Sequence, residues 1–176
     1  WLFQQPLEKI DVVVHPQSIV HSFVEFTDGS MKAQLGMPDM RLPIQYALSA
    51  PERLAESYDR LDLLTCGPLE FEAPDLDRFP ALSLARSASE RGGLFPTILN
   101  AANEVGVAAF LDGKLSFIGI PSLISATLDS FDRSFGAPFT LSSDQDIEAG
   151  LTRIFEADRL ARERATALLA SGTFAA

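Results

Sequence analysis

Hydrophobic and polar residues follow strand-like patterns in the first part of the chain. The β-branched run KIDVVVH, residues 9–15, predicts a strand buried on both faces. Residues 19–26 and 30–36 predict two more strands, and Asp28-Gly29 between them suits a two-residue turn with positive φ at both positions. These two strands are therefore predicted to form an antiparallel hairpin.

The pattern changes after the hairpin. Residues 40–54 predict a short helix with Pro43 in its first turn, where the missing N–H is harmless, and with Asp39 as its cap. Residues 51–79 combine three prolines with alternating charges and weak periodicity. This composition predicts a linker, with a short strand at residues 69–74.

From about residue 80 the spacing of apolar residues becomes helical. Prolines near the starts and glycines at the ends mark the helix boundaries. Four helices are predicted, over residues 79–93, 95–114, 120–131 and 142–172. A hairpin followed by four helices of this length predicts an α+β chain that ends in a domain like a four-helix bundle.

Two of these helices make more specific predictions. The last helix has Ser143 as its predicted N-cap. Its predicted packing face contains the apolar residues Ile147, Leu151, Ile154, Phe155 and Leu160. The second helix carries three polar residues among alanines, which predict a buried hydrogen-bond network that fixes helix packing. These residues are Asn100, Asn103 and Glu104.

Composition narrows the possible functions. The chain has 176 residues, 47% of them hydrophobic, which is enough for a buried core. A formal charge of −10 argues against binding to nucleic acid phosphates. No apolar run reaches the roughly 20 residues that a membrane span needs, so no membrane association is predicted. One cysteine, Cys66, and no secretion signal predict an inert thiol in a cytoplasmic protein. Because the first residue is not Met, a processed product or a fragment is expected.

The two histidines are the first candidates for chemistry. His15 and His21 lie six residues apart, but Pro16 interrupts the strand geometry and no carboxylate cluster accompanies them, so a metal site is disfavoured. Ser18 is close to His21, yet nothing supplies an orienting acid or an oxyanion hole. His21 is predicted on the face opposite the core face of its strand. It is then either a half-exposed histidine bonded to a neighbour or a polar group that lines a pocket.

The predicted core face of that strand contains Val20, Ser22, Val24 and Phe26. After the hairpin, the segment GMPDMRLP leaves a similar choice open. Gly36 permits unusual backbone angles and Pro38 stiffens the loop, while Met37 and Met40 offer adaptable apolar contacts. The loop is either a capped connection between strand and helix or an apolar surface for a small ligand.

Two stretches carry a resemblance to a known family. HPQSIVHSFVEFTDGSMKAQLGMPDMRLPIQYAL, residues 15–48, resembles the central part of the 1-deoxy-D-xylulose 5-phosphate reductoisomerase family. LNAANEVGVAAFL, residues 99–111, resembles the helical C-terminal domain of that family, and the opening WLF resembles the end of a helix that follows its metal-binding segment. The resemblance extends in order over essentially the whole chain.

The resemblance implies an enzyme that isomerises 1-deoxy-D-xylulose 5-phosphate and reduces the resulting aldehyde to 2-C-methyl-D-erythritol 4-phosphate. It implies NADPH and a divalent metal ion, Mg²⁺ or Mn²⁺, as cofactors of the whole enzyme. It also implies a homodimer joined through the central-domain sheet, in the non-mevalonate pathway of isoprenoid biosynthesis. By the same resemblance, the residues that line the substrate pocket are Ser18, His21, Pro38 and Met40.

The family features that bind nucleotide, metal and phosphate are expected before Trp1, so no residue of this chain is predicted to bind a cofactor or metal or to act as a catalytic group. The implied organisation is a truncated catalytic domain over residues 1–50, a linker over 51–79 and a helical domain over 80–176. The chain alone is expected to be inactive. The alternative is a non-catalytic module for dimerisation or partner binding.

Overall fold

The computed structural model describes residues 3–55, 58–138, 143–172 and 174. It divides the chain into two compact units. We call residues 11–74 the hairpin unit, and residues 1–10 together with 75–176 the helical unit. Residues 51–74, predicted as most of a linker, belong to the hairpin unit. The domain boundaries proposed from the sequence stay predictions.

The described part of the hairpin unit contains two strands and one α-helix. Strand β1, Val20–Glu25, pairs antiparallel with β2, Met31–Leu35, and helix α1 covers Arg41–Ser49. The predicted hairpin is therefore confirmed. Helix α1 has Pro43 in its first turn as predicted, but it ends five residues before the predicted position 54.

The turn of the hairpin differs from the prediction. Phe26 N donates to Ser30 O over 2.8 Å, and Gly29 N donates to Phe26 O over 2.9 Å. Only Gly29 has positive φ, at 81°, so Asp28 does not adopt the left-handed conformation that was predicted for it. The loop is therefore a three-residue connection closed by a left-handed glycine, a common hairpin type.

Two other predictions for the hairpin unit are wrong. Residues 10–15 form no strand; Val14 alone makes a β-bridge, to Glu72, and residues 69–74 contribute only this bridge. The predicted core face is also not buried, because Val24 is 54% exposed and Phe26 is 43% exposed. The described part of the hairpin unit has a two-stranded sheet, and no second layer covers the predicted core face. Residues 10–15 likewise have no neighbouring strand beyond the single bridge at Val14.

The helical unit has the four predicted α-helices among its described residues. Their bounds are Ala81–Arg91 (α2), Phe95–Leu111 (α3), Gly119–Asp129 (α4) and Asp144–Ala170 (α5). Helix α3 contacts each of the other three. Its largely apolar sequence agrees with this central position, since Phe95 and Ile98 are almost completely buried, as is Leu123 on α4. The predicted α+β class with a helical second part is confirmed.

The packing face of α5 agrees with the predicted one only in part, since Ile154 packs against the core and Leu160 is half-buried. Ile147, Leu151 and Phe155 are 42%, 47% and 70% exposed. The residues that enter the core are instead three alanines with no exposed area, Ala157, Ala161 and Ala165. They recur every four residues and so lie on one face of the helix. Small side chains on this face allow close approach of the neighbouring helices.

One close backbone approach fixes the junction between α2 and α3. Leu94 N donates to Phe135 O over 2.8 Å. Gly93 has φ of 53°, and a Cβ at this position would overlap Phe135 O and the backbone of Gly136. Gly136 is equally restricted, since its Cβ would lie 2.6 Å from Arg91 O. Both glycines are therefore required for the short helix Arg133–Gly136 to pack on this junction.

The predicted polar network of α3 exists but is not buried. Asn100 Nδ2 donates to Glu104 Oε1 over 3.0 Å, and Arg162 Nη2 on α5 lies 2.7 Å from Glu104 Oε2. Asn100 and Glu104 are both exposed, and Asn103 is not part of the network. The network therefore joins α3 to α5 at the surface. Glu104 accepts side-chain hydrogen bonds from Arg162 and Asn100. These bonds, together with the positive charge of Arg162, keep the pKa of Glu104 below its usual value of 4.5.

We expect Glu104→Gln to reduce the stability of the helical unit at neutral pH. A lowered carboxyl pKa contributes stability above the unfolded pKa, and this contribution is lost as the pH falls through the folded pKa. The difference between the variant and the wild type should therefore shrink as the pH is lowered below 4.5. Urea denaturation over a pH series measures it. Glu148→Gln, on an exposed carboxylate of α5, is the control, and a pH-independent difference for Glu104→Gln would contradict the expectation.

Candidate functional site

The candidate site lies in the hairpin unit, where a tight turn leads into β1. Ser18 N donates to His15 O over 3.0 Å, which closes the turn that contains Pro16. Ser18 has φ of 53°, in the left-handed region that a residue with a Cβ rarely adopts. Such a conformation costs free energy and persists only where the surroundings fix it. The turn therefore presents the exposed Ser18 at a defined place beside the first strand.

His21 occupies an irregularity of the strand. The pairing of β1 with β2 shifts register between Val20 and Ser22, so His21 is the extra residue of a β-bulge. A bulge re-aims a side chain and disturbs the regular alternation of faces. The imidazole is exposed, and its Nε2 lies 3.8 Å from the position that a Cβ of Gly36 would occupy.

The loop after β2 is held by short-range hydrogen bonds. Gly36 N donates to Ile19 O over 3.0 Å, and Asp39 N donates to Met37 O over 2.8 Å across Pro38. The N-cap residue of α1 is Met40, not the predicted Asp39. The carboxylate of Asp39, one residue earlier, still caps the first turn by accepting a hydrogen bond from Arg41 N over 2.9 Å. The loop therefore has a defined backbone conformation.

A salt bridge completes this cap. Arg41 Nη2 lies 2.5 Å from Asp39 Oδ2. The side-chain hydrogen bond from Arg41, and then its backbone N–H, keep the pKa of Asp39 below its usual value. Asp39 therefore stays ionised at neutral pH and holds the N-terminus of α1 against the loop.

The structure does not bring the four predicted pocket residues together in one described cavity. A cavity of about 360 Å³ lies between the end of β2, α1 and the chain after α1, and it includes Met37 and Gly36. Ser18, His21, Pro38 and Met40 are not among its lining residues. His21 adjoins Gly36, whereas Met40 is 72% exposed. The four predicted pocket residues are thus accessible, and their joint pocket stays a prediction.

Sequence reasoning missed a cluster next to the site. The ring of His15 stacks on Phe71 with centroids 4.6 Å apart, and Phe71 meets Phe23 of β1 edge-on at 5.4 Å. The short strand predicted at residues 69–74 contains Phe71 but gave no sign of this contact. The contact of Phe71 with His15 joins residues 56 positions apart, and no local pattern specifies such a pair.

The described ranges contain possible metal ligands and the single cysteine. Over these residues there is no group of three or more His, Cys, Asp or Glu side chains that would hold a metal ion. Cys66 is half-buried, and its Sγ lies 3.7 Å from Leu63 O and 3.5 Å from Gly67 O. No helix in the part of the chain that the structure describes is long and apolar enough to cross a membrane.

The described residues form a hairpin with an exposed imidazole and an ordered loop, followed by a domain of four α-helices, which defines an α+β protein with its candidate site on the hairpin. Comparison with known proteins makes this class specific. The family model described as the DXP reductoisomerase C-terminal domain matches residues 35–164. The chain belongs to the 1-deoxy-D-xylulose 5-phosphate reductoisomerase family.

Individual relatives agree with this assignment. The 1-deoxy-D-xylulose 5-phosphate reductoisomerase of Chlorobium phaeobacteroides strain BS1 is 52% identical over 165 residues, covering 94% of this chain and 40% of the relative. The Bacteroides thetaiotaomicron enzyme of the same name is 57% identical over 129 residues, covering 73% of this chain and 33% of the relative. The chain thus spans less than half the length of these relatives.

Solved structures of the family have the same fold. The Zymomonas mobilis reductoisomerase in complex with NADPH is 46% identical, with a TM-score of 0.80 over 96% of this chain and 41% of that one. A reductoisomerase structure with fosmidomycin and magnesium is 42% identical, with a TM-score of 0.85 over the same shares. The predicted family resemblance is confirmed.

Proposed function

We propose that this chain acts as the C-terminal part of an enzyme that isomerises 1-deoxy-D-xylulose 5-phosphate and reduces the product to 2-C-methyl-D-erythritol 4-phosphate. NADPH and Mg²⁺ or Mn²⁺ are the proposed cofactors. The observation that carries the proposal is the family match over residues 35–164. The relatives and neighbours reported above are all reductoisomerases, which favours this function over a non-catalytic dimerisation or partner-binding module.

The described residues contain no group of three or more His, Cys, Asp or Glu side chains that would hold a metal ion, and this chain covers only 41% of the relative solved with NADPH. We therefore assign the binding of NADPH and metal to the part of the enzyme that corresponds to the rest of the relatives' length. The role left to this chain is to bind and enclose the sugar phosphate. An apolar loop excludes water from a reacting substrate, while a few polar groups orient it.

Four residues, which we call the pocket residues, are proposed to contact the substrate. They are Ser18, His21, Pro38 and Met40. Three local features support this choice: the left-handed turn at Ser18, the bulge that re-aims His21, and the exposed side chain of Met40 beside a capped helix. The imidazole and hydroxyl offer hydrogen bonds to substrate hydroxyl groups, and Pro38 and Met40 offer apolar contact.

The proposed assembly is a cytoplasmic homodimer joined through the central-domain sheet, with no nucleic acid or membrane partner. Large apolar side chains on one face of the hairpin are exposed, namely Val24 and Phe26, at 54% and 43%. Apolar exposure on a sheet face supports coverage by further protein. The charge of −10 supports the absence of a nucleic acid partner.

We expect His21→Ala in the full-length enzyme to raise KM for 1-deoxy-D-xylulose 5-phosphate about tenfold, through loss of one hydrogen bond to substrate. The KM for NADPH should not change, since this residue is proposed to contact only the sugar phosphate. Steady-state kinetics with each substrate varied in turn measures both constants.

Glu25→Ala is the matched control, because Glu25 is also exposed on β1 but is not a pocket residue. It should leave both KM values unchanged. A His21→Ala variant that loses thermal stability while its KM for the sugar phosphate stays unchanged would assign His21 a structural role and refute the pocket.

A further inference from the structure

The cluster around His15 is the strongest feature that the proposed function leaves unused. His15 Nδ1 lies 2.7 Å from Glu70 O. A carbonyl oxygen can only accept, so Nδ1 carries the proton and donates. The same ring stacks on Phe71, whose edge contacts Phe23 of β1. One histidine thus connects the turn before β1, the segment around Phe71 and the strand itself.

Further bonds join the same two segments. Gln17 Nε2 donates to Glu70 Oε2 over 2.7 Å, and Glu70 N donates to Gln17 Oε1 over 3.2 Å. Val14 and Glu72 exchange both backbone hydrogen bonds at 2.9 Å. We call residues 14–17 and 70–72 the His15 clamp. It combines backbone pairing, reciprocal side-chain bonds and ring stacking.

The remaining nitrogen of His15 is unusual. Nε2 is shielded from solvent and has no hydrogen-bond partner among the described residues. An unpaired buried polar atom costs free energy. An aromatic residue without that nitrogen would stack on Phe71 at no such cost. The feature specific to histidine is the Nδ1 donor to Glu70 O, which fixes the ring relative to the second segment.

The position of the clamp connects it to the site. The clamp ends at Gln17, directly before Ser18 with its left-handed φ of 53°. Through Phe71 it also contacts Phe23, two residues after His21. The strained turn and the bulge therefore lie between two anchored points. Strained backbone persists only where surrounding contacts hold it.

Resting on the proposed function, we infer that His15 is a positioning residue: by donating from Nδ1 to Glu70 O and stacking on Phe71, it fixes the turn and bulge that aim Ser18 and His21 at the sugar phosphate. Nothing in this role requires His15 to touch the substrate. Loss of the clamp broadens the orientations of two substrate-binding side chains, which weakens substrate binding and leaves NADPH binding unaffected.

The test uses the full-length enzyme with three variants. His15→Ala removes both interactions, His15→Asn restores a donor near the position of Nδ1, and Phe71→Leu removes the stacking. We expect His15→Ala to raise KM for the sugar phosphate about tenfold without changing KM for NADPH, since a displaced binding group loses most of its interaction. His15→Asn should give an intermediate KM. In the double variant His15→Ala/Phe71→Leu, KM should rise above that of His15→Ala by a smaller factor than the one that Phe71→Leu alone produces.

Hydrogen exchange gives a readout that does not depend on turnover. Amides of residues 18–23 should exchange about ten times faster in His15→Ala, because local opening becomes easier, while the amides of α3 keep their rates. His15→Asn, the milder change, serves for the same measurement if His15→Ala does not fold. The inference would be overturned by unchanged exchange at residues 18–23, or by an unchanged KM in the His15 and Phe71 variants when His21→Ala does raise KM.

The two proposals fail in distinguishable ways. If His21→Ala raises KM for the sugar phosphate but the His15 and Phe71 variants do not, the pocket stands and the clamp inference is refuted. If His21→Ala and Ser18→Ala leave KM unchanged, the pocket is refuted. Hydrogen exchange then decides the clamp alone: faster exchange at residues 18–23 in His15→Ala supports it, and unchanged exchange refutes it.

Discussion

Phe95→Ala is expected to lower the free energy of unfolding of the helical unit by about 4 kcal/mol, the usual cost of removing a buried phenylalanine. Phe95 is 1% exposed and belongs to the core cluster at the start of α3. Its ring centroid lies 3.5 Å from the guanidinium carbon of Arg91, and a Cβ added to Gly136 would lie 3.4 Å from its ring edge. The site is bounded by backbone on one side, so it cannot collapse to fill the cavity that alanine leaves.

Urea denaturation followed by far-UV circular dichroism measures this loss. Phe155→Ala on α5 is the control, because Phe155 is 70% exposed and its removal should change stability by no more than about 0.5 kcal/mol. Equal losses for the two variants would mean that Phe95 does not lie in the core. An unchanged denaturant slope would confirm that both variants unfold from the same native state.

The sequence predicted most of the helical unit because its signals are local. Pro96 near the start of α3, Gly92 after α2 and Ser143 before α5 act within one turn of the helix ends. Ser143 Oγ indeed accepts a hydrogen bond from Asp146 N over 3.2 Å. The presence of these helices could therefore be predicted from the spacing of apolar residues and from the residues at the helix ends.

The hairpin unit was predicted less well because non-local contacts shape it. The bulge at His21 is an irregularity in pairing with β2, and it has no signature in β1 alone. Residues 9–15 were predicted to be buried on both faces because several of them are β-branched. Such residues favour a strand, but they do not show whether a partner strand exists. The His15–Phe71 stack likewise depends on the fold of distant segments.

The candidate site divides in the same way. The GMPDM loop, the Asp39 cap and the accessibility of His21 agree with local sequence reasoning. The pocket residues were predicted from the family resemblance. No local sequence pattern shows which other residues would surround the substrate with them. The structure adds a left-handed turn at Ser18, a bulge at His21 and the His15 clamp, which we propose to hold both.

The packing face of α5 gives the second large effect. Sequence periodicity selected large residues, since hydrophobicity scales weight large apolar side chains. Of these, Ile147, Leu151 and Phe155 are exposed, while Ile154 packs against the core. The structure instead buries the three alanines of α5 against the core, and Arg162 beside them reaches Glu104 of α3 over 2.7 Å. A helix held so close to its neighbours has no space for larger side chains.

Ala161→Leu should therefore lower the free energy of unfolding by about 3 kcal/mol, because added methylene groups in a close-packed core force neighbouring atoms apart. Ala161 has no exposed area, whereas Ala167 on the same helix is exposed. Ala167→Leu makes the same chemical change at the surface and should alter stability by no more than about 0.5 kcal/mol. Urea denaturation of both variants measures the contrast. If Ala161→Leu were as stable as Ala167→Leu, the alanine face would not be the packed face of α5, and the larger residues selected by periodicity would have to take its place.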